Sequence, residues 1–141
     1  MMKINRRIDY AIRVMLVLAK QPGGSRLFTQ QIQETILVPR AFLLRIIADL
    51  SKAKLIDTFP GPKGGVQLAR PSDRVNLRDI WEAIDGPFLI SDCLENPEEC
   101  PLNEGCPVNA RWKKMQSFMV KELESTTLAL LAIEAFKLAT N

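Results

Sequence analysis

The sequence predicts a mainly helical fold with one small β-hairpin. Apolar residues recur at spacings of three and four along most of the chain, which is the pattern of amphipathic helices. Residues 55–70 differ, because two apolar-alternating runs there flank the Gly- and Pro-rich segment 60–65, which is typical of a hairpin. Prolines interrupt residues 87–107, so we expect a loop between the helical parts.

Two helices are predicted at the beginning of the chain. The first, over residues 4–20, carries an apolar stripe and is ended by the Gln-Pro-Gly-Gly segment 21–24. We expect Thr29 to cap a short second helix in which Ile32 faces the core. The predicted stripe of the first helix consists of Ile8, Ala11, Ile12, Met15, Leu16 and Ala19.

A third helix is predicted over residues 39–53, with Pro39 at its start, and its two faces differ chemically. One face is apolar, and the other combines small and basic residues with an exposed leucine. The second face suits the major groove of DNA, because arginine pairs with guanine edges and alanine or leucine touches thymine methyl groups. A solvated helix face is the alternative interpretation. The apolar face contains Phe42, Leu43, Ile46, Ile47 and Leu50, and the other contains Arg40, Ala41, Leu44, Arg45, Ala48 and Lys52.

Two short helices followed by a hairpin with a basic tip predict a winged helix-turn-helix, which is a DNA-binding arrangement. In this arrangement the third helix enters the major groove, and Lys63 on the hairpin (the wing) reaches a phosphate or the minor groove. We therefore expect base edges to be met by Arg40, Ala41, Leu44 and Arg45, and the DNA backbone to lie near Thr29, Lys52 and Lys63.

Three further helices are predicted downstream, over residues 76–85, 108–124 and 128–139. The first should bury Leu77, Ile80, Trp81 and Ile84, and Ser125-Thr126-Thr127 should cap the last. The long middle helix carries an apolar stripe of Val108, Trp112, Met115, Met119 and Leu123. Because little else covers this stripe, we interpret it as the seam of a homodimer that would match palindromic double-stranded DNA. Packing of the stripe on its own domain is the alternative.

Composition and charge narrow the class of function. Residues 1–80 carry 14 Lys and Arg against 6 Asp and Glu, a net charge of +8, whereas residues 81–141 carry 5 against 10, a net charge of −5. A basic first half suits a polyanionic partner. The chain has no histidine, which excludes histidine catalysis and histidine metal ligands. Without a long apolar run or a signal peptide, it is predicted to be cytoplasmic and not membrane-bound.

We expect no enzymatic activity, because the sequence shows neither a nucleophile–base pair nor a phosphate-binding loop. The glycine-rich segment Gly61–Gly65 joins two strands and does not open a helix, as a phosphate loop would.

All three cysteines, Cys93, Cys100 and Cys106, lie within fourteen residues. Thiolates are soft ligands that favour iron–sulfur clusters, zinc or Cu(I). Structural zinc sites use closer cysteine pairs and four ligands, so the wider spacing here favours a cluster with a further, non-thiolate ligand. Unrelated free thiols, or a thiol switch without metal, are the alternatives. Nearby carboxylates disfavour a highly reactive bare thiol.

The motifs together resemble the IscR/NsrR-type bacterial transcription regulators, which use iron–sulfur clusters to sense cluster supply, nitric oxide or redox state. The resemblance spans nearly the whole chain. It rests on RRIDYAIRVMLVLA (6–19), PRAFLLRIIADLSKAKLI (39–56), GPKGG (61–65), DIWEAIDGP (79–87), the cysteine loop and TTLALLA (126–132).

The resemblance implies a homodimer with a long crossing C-terminal helix and a [2Fe-2S] or [4Fe-4S] cluster held by the three cysteines. Some members take a fourth ligand from an acidic residue in the first helix of the other subunit, and Asp9 stands at that place. Others use a histidine three residues after the last cysteine, where this chain has Asn109; Asp9 is the preferred candidate and Asn109 the second.

Two departures from the family pattern concern the DNA sequence that is recognised. Pro60 stands where many relatives insert an arginine into the minor groove, and Leu44 stands where some place a glutamate. No operator can therefore be transferred from relatives.

The sequence thus predicts a cluster-dependent, homodimeric DNA-binding regulator, most simply a repressor. We divide it into a winged helix-turn-helix domain (1–86), a cysteine cluster-binding loop (87–107) and dimerisation helices (108–141). One alternative is a cluster-free regulator with a cysteine thiol switch. Another is a small electron-carrier or cluster-donor protein that uses the helix-turn-helix only as a scaffold.

Overall fold

The structure is a computed structural model that describes residues 3–62 and 64–140. Within these ranges it contains six α-helices and one antiparallel hairpin, so the predicted fold class is confirmed. In chain order the elements are α1 (Arg6–Ala19), α2 (Thr29–Ile36), α3 (Arg40–Lys52), β1 (Ile56–Phe59), β2 (Gly65–Leu68), α4 (Leu77–Asp85), α5 (Pro107–Ser125) and α6 (Leu128–Ala139).

Helix α1 forms the centre of the core, because α2, α3, α4 and α6 all pack against it. The prediction of its buried face was partly wrong. Val14 and Leu18 are buried although the predicted stripe omits them, while Ile12, Leu16 and Ala19 are only half-buried. A helix enclosed on several sides buries a wider surface than a single stripe at three- and four-residue spacing.

The turn between α2 and α3 holds a leucine in an unusual conformation. Leu37 has a φ of 53° and a ψ of 51°, in the left-handed region, and its side chain is 83% exposed. Left-handed backbone at the end of a helix favours glycine, since a Cβ there crowds the backbone. The next residue, Val38, is buried and ties the turn to the core.

We expect Leu37→Gly to raise the free energy of unfolding by about 0.5–1 kcal/mol, because it removes the left-handed penalty and sacrifices little burial. Ala48→Gly, at an exposed position inside α3, is the matched control and should lower the same quantity by about 1 kcal/mol. Urea denaturation of both variants measures the difference. If both glycines destabilise the protein equally, Leu37 is not strained.

The wing is a four-residue ladder in which Phe59 pairs with Gly65 at the tip and Ile56 pairs with Leu68 at the base. Leu27 adds a short third segment at the edge of β2: its N–H donates to Val66 O (2.9 Å), and Val66 N–H donates to Leu27 O (2.8 Å). Gly65, with a φ of +131°, permits this approach, because a Cβ there would lie 2.9 Å from Leu27 O.

Helix α4 begins at a reciprocal cap. Asp79 N–H donates to Asn76 Oδ1 (2.9 Å), and Asn76 N–H donates to Asp79 Oδ2 (3.0 Å). Ile80 and Ile84 are buried as predicted. Leu77 and Trp81 are only half-buried, so the prediction of full burial was wrong for these two. The Trp81 ring packs edge-on against Phe88, with centroids 5.0 Å apart.

Charged side chains connect α4 to α5. The Arg78 guanidinium donates to Glu124 and, at 2.9 Å, to Glu82. These hydrogen bonds, that to Glu124 first, raise the pKa of Arg78 above its ordinary value.

Helix α6 begins at Thr127, whose hydroxyl oxygen accepts a hydrogen bond from Leu130 N–H (3.1 Å). This confirms the cap predicted within residues 125–127. Leu128 is completely buried in the core that α1 centres, and its N–H donates to Val75 O (2.9 Å). The rest of α6 turns large apolar side chains to the surface. Every helix in the described part of the chain is too short or too polar to span a bilayer.

Candidate DNA-binding surface and cysteine site

The outer face of α3 is built as the sequence pattern indicates. Leu43, Ile46, Ile47 and Leu50 are buried, which fixes the helix on the core. The predicted base-contacting residues all lie at exposed positions: Arg40, Ala41, Leu44 and Arg45. An ion pair between Arg7 of α1 and Asp49 of α3 (2.9 Å) further holds the orientation of the helix.

Phe42 was wrongly assigned to the buried face of α3. It is 44% exposed and meets the Tyr10 ring of α1 edge-on, with centroids 6.3 Å apart and planes at 67°. Its position falls at the boundary between the two faces, where an aromatic side chain can lie along the neighbouring helix without entering the core.

A groove of about 700 Å³ separates α3 from the wing. The predicted backbone-contacting residues Thr29 and Lys52 both line it, together with Leu44 and Phe59. Thr29 is the first residue of α2, so the prediction that it caps this helix was wrong. The N-cap is Phe28, whose N–H donates to Gln31 Oε1 (2.8 Å), so a glutamine side chain supplies the cap. Lys63 lies outside the described residues.

Arg26 lies against the wing, and no pattern in the sequence predicted this contact. Its guanidinium carbon is 3.4 Å from the centroid of the Phe59 ring, and its Nε donates to Gln67 Oε1 (3.4 Å). Arg26 and Phe59 are distant in sequence. They meet because Leu27, next to Arg26, pairs with β2. A sequence pattern carries no signal for such a contact.

The three cysteines line one cavity of about 310 Å³. All three are free thiols and half-buried. The other lining residues are largely apolar, with Leu102, Val108 and Trp112 forming much of the wall. The fold therefore brings the three thiols together around a small, largely apolar space. The loop that carries them has no regular structure apart from two short 3₁₀ turns.

Two residues hydrogen-bond to the sulfur atoms. Asn109 Nδ2 lies 3.4 Å from both Cys93 Sγ and Cys93 O, and its backbone N–H donates to Cys106 Sγ (3.5 Å). Ser91 Oγ is 3.2 Å from Cys93 Sγ. Asn109 thus presents a donor nitrogen to the site, and the same carbonyl and sulfur contacts hold its amide group in that orientation.

The loop is joined to α5 at two points. Cys106 is the N-cap residue of α5, and Ile90 N–H donates to Gln116 Oε1 (3.0 Å), which lies almost three turns further along that helix. A change in the positions of the cysteines is therefore coupled directly to the long helix.

Three thiols that line one cavity are the type of donor that holds an iron–sulfur cluster. Among residues 3–62 and 64–140, no three Cys, Asp or Glu side chains are close enough to hold one metal ion. An iron–sulfur cluster is larger and is held by cysteines spaced around it, as these are around their cavity. Sulfur-directed hydrogen bonds such as those of Asn109 are a common feature of such sites.

Asp9 is not part of this arrangement within one chain. It lies on the exposed side of α1 in an ion pair with Arg13 (2.8 Å), where its side chain is half-exposed. A role as cluster ligand would require a second subunit and the loss of that ion pair.

Comparison with known proteins gives consistent matches across the chain. A model of the Rrf2 family, described as iron-dependent transcriptional regulator, matches residues 4–134. The chain is 30% identical over 129 residues to protein aau3 of Rhizobium meliloti (strain 1021), covering 90% of this chain and 82% of that protein.

Two solved structures have a similar fold. CymR (YrzC), the global cysteine regulator of B. subtilis, matches with a TM-score of 0.76 and 26% identity over 95% of this chain and 98% of its own. IscR of T. potens matches with a TM-score of 0.75 and 25% identity over 95% and 88% of the two chains.

Proposed function

The chain belongs to the Rrf2 family of iron-dependent transcriptional regulators, and on this premise we propose that it is a homodimer whose DNA affinity is controlled by an iron–sulfur cluster. Family membership confirms the resemblance drawn from the motifs and makes the chain a DNA-binding transcription regulator, not an enzyme or an electron carrier. The observation that carries the cluster proposal is the convergence of Cys93, Cys100 and Cys106 on one cavity.

The proposed DNA surface consists of the outer face of α3 and the groove beside the wing. Arg40, Ala41, Leu44 and Arg45 are exposed along one helix and can meet base edges in the major groove. Thr29 and Lys52 line the groove and are proposed to contact the DNA backbone, as is Lys63. The positive charge of residues 1–80 supports association with a polyanion.

At the cysteine site, the three thiolates would hold iron, and Asn109 would donate hydrogen bonds to Cys93 and Cys106. A bound cluster supplies a group whose oxidation, nitrosylation or loss changes charge and ligation at the cavity. Cys106 and Gln116 connect the cavity to α5, so α5 is the element that transmits the change. We keep the partner subunit's Asp9 as the preferred fourth ligand, because Asn109 turns its Nδ2 towards Cys93, whereas an asparagine ligand would have to offer its Oδ1.

Dimerisation is proposed through the apolar faces that one chain leaves exposed on α5. Val108, Trp112, Met115 and Phe118 are exposed there, and neighbouring exposed apolar side chains are typical of an interaction surface. With this seam, we retain the proposed division into a DNA-binding domain (1–86), a cluster loop (87–107) and dimerisation helices (108–141). The two symmetry-related DNA-binding domains of the dimer would recognise a palindromic operator.

A cluster-free thiol switch is the second candidate function. It is favoured by the likeness in fold to the B. subtilis cysteine regulator. In this alternative the cysteines would respond by oxidation, without iron.

Anaerobic purification followed by visible absorption spectroscopy and assays for iron and sulfide tests the cluster proposal. We expect broad visible absorption with bound iron and sulfide in the wild type, and their complete loss in a variant carrying Cys93→Ala, Cys100→Ala and Cys106→Ala. Asp9→Ala should leave the protein coloured but accelerate cluster loss. A colourless, iron-free wild type, even after reconstitution with iron and sulfide, would instead support the thiol switch.

A further inference from the structure

The positively charged side chain of Arg26 packs against the wing, where Phe59 and Gln67 hold it. Arg26 is exposed, and its guanidinium carbon lies 3.4 Å from the centroid of the Phe59 ring. Within residues 3–62 and 64–140, no carboxylate lies within 4.0 Å of it, and its only side-chain hydrogen bond runs from Nε to Gln67 Oε1 (3.4 Å). The charge is therefore not neutralised within the described protein.

The absence of a side chain at Gly65 leaves space for Arg26. Arg26 lies beside β2, whereas Phe59 lies on β1, so the arginine must cross the sheet at the position of Gly65. A Cβ on Gly65 would lie 3.4 Å from Arg26 Cβ and 2.9 Å from Leu27 O. Glycine at this position, opposite Phe59 in the ladder, leaves room for the guanidinium to reach the ring.

The guanidinium lies over Phe59, a residue that lines the groove proposed to face DNA, although Arg26 itself does not line it. Phe59 lines the groove between α3 and the wing, and it directly precedes the wing turn at Pro60 and Gly61. Stacking on an aromatic face leaves the terminal Nη donors of an arginine accessible at its edge. The contacts with Phe59 and Gln67 restrict the side chain, which reduces the conformational entropy that it would lose on binding.

We propose that Arg26 is a DNA-contacting residue of the wing, held against Phe59 so that its Nη groups reach the phosphates or the minor groove. A planar guanidinium with unpaired donors suits both targets, since it binds phosphate oxygens and also enters narrow minor grooves. The proposal rests on the DNA-binding surface proposed above and adds to it a residue from the segment that precedes α2.

Fluorescence anisotropy on an operator selected by the wild-type protein from random duplex DNA tests the proposal. Arg26→Ala should weaken binding about tenfold. A phosphate contact predicts that the slope of log affinity against log salt falls by about one, whereas a minor-groove contact predicts greater loss on A·T-rich flanks. Arg26→Lys keeps the charge without the planar stack, and Phe59→Leu removes the ring; each should lose part of the affinity.

Two comparisons make the outcome decisive. Lys113→Ala removes an exposed positive charge from α5, on a face away from the proposed dimer seam, and should not change the affinity. Thermal denaturation establishes that each variant remains folded. Unchanged affinity and salt slope in Arg26→Ala would overturn the role of Arg26. If Arg45→Ala also leaves binding unchanged, the proposed DNA surface itself fails, so the two failures are distinguishable.

Discussion

Leu128→Ala should lower the free energy of unfolding by about 2–5 kcal/mol, the usual cost of removing a fully buried leucine side chain. Leu128 has no exposed surface and lies in the same core as Ile8, Met15 and Ile80. Its N–H also donates to Val75 O, so the first turn of α6 is anchored by both backbone and side chain. The surrounding helices cannot collapse far into the resulting cavity, because α1 is packed on several sides.

Leu138→Ala is the matched control, because it makes the same chemical change in the same helix at a position that is 76% exposed. Urea denaturation followed by circular dichroism, at one fixed protein concentration, compares the two variants. We expect the Leu138 variant to lose less than about 1 kcal/mol. Equal losses in both variants would mean that α6 is not anchored in the core through Leu128.

Arg45→Ala should weaken binding to the selected operator by about 1–3 kcal/mol if Arg45 reads a guanine in the major groove. The residue is exposed on the outer face of α3, and the buried residues Ile46 and Ile47 beside it hold the helix in place. The loss should depend on sequence, so the variant should discriminate poorly against operators that are altered at one position.

Lys113→Ala removes the same charge from α5, away from the proposed dimer seam, and controls for the general electrostatic effect. Anisotropy titrations of both variants, on the operator and on an unrelated duplex, separate a base contact from a phosphate contact. A loss that is equal on both duplexes would assign Arg45 to the DNA backbone. Full retention of affinity would remove it from the interface.

The helices and the hairpin could be predicted because each has a local signature. The apolar face of α3, the Pro- and Gly-rich turn of the wing and the cap at Thr127 are all encoded within a few residues. The grouping of the three cysteines was also predictable, because they are close in sequence. The structure adds that all three line one cavity.

Features that depend on contacts between distant segments could not be predicted. Phe42 packs edge-on against Tyr10 of another helix and does not enter the core, and α1 is buried on more than one side because four helices surround it. The cap of α2 depends on the reach of Gln31, and the stacking of Arg26 on Phe59 depends on a strand pairing that Gly65 permits. Periodicity along one segment contains no information about these neighbours.

The affinity of the anaerobically purified protein for its selected operator, measured before and after removal of the cluster, tests the central claim most directly. We predict a change of about tenfold or more, within the usual range of allosteric coupling. The variant that lacks Cys93, Cys100 and Cys106 should remain at the cluster-free value under both conditions. The same affinity for the loaded and the cluster-free wild type would contradict the account.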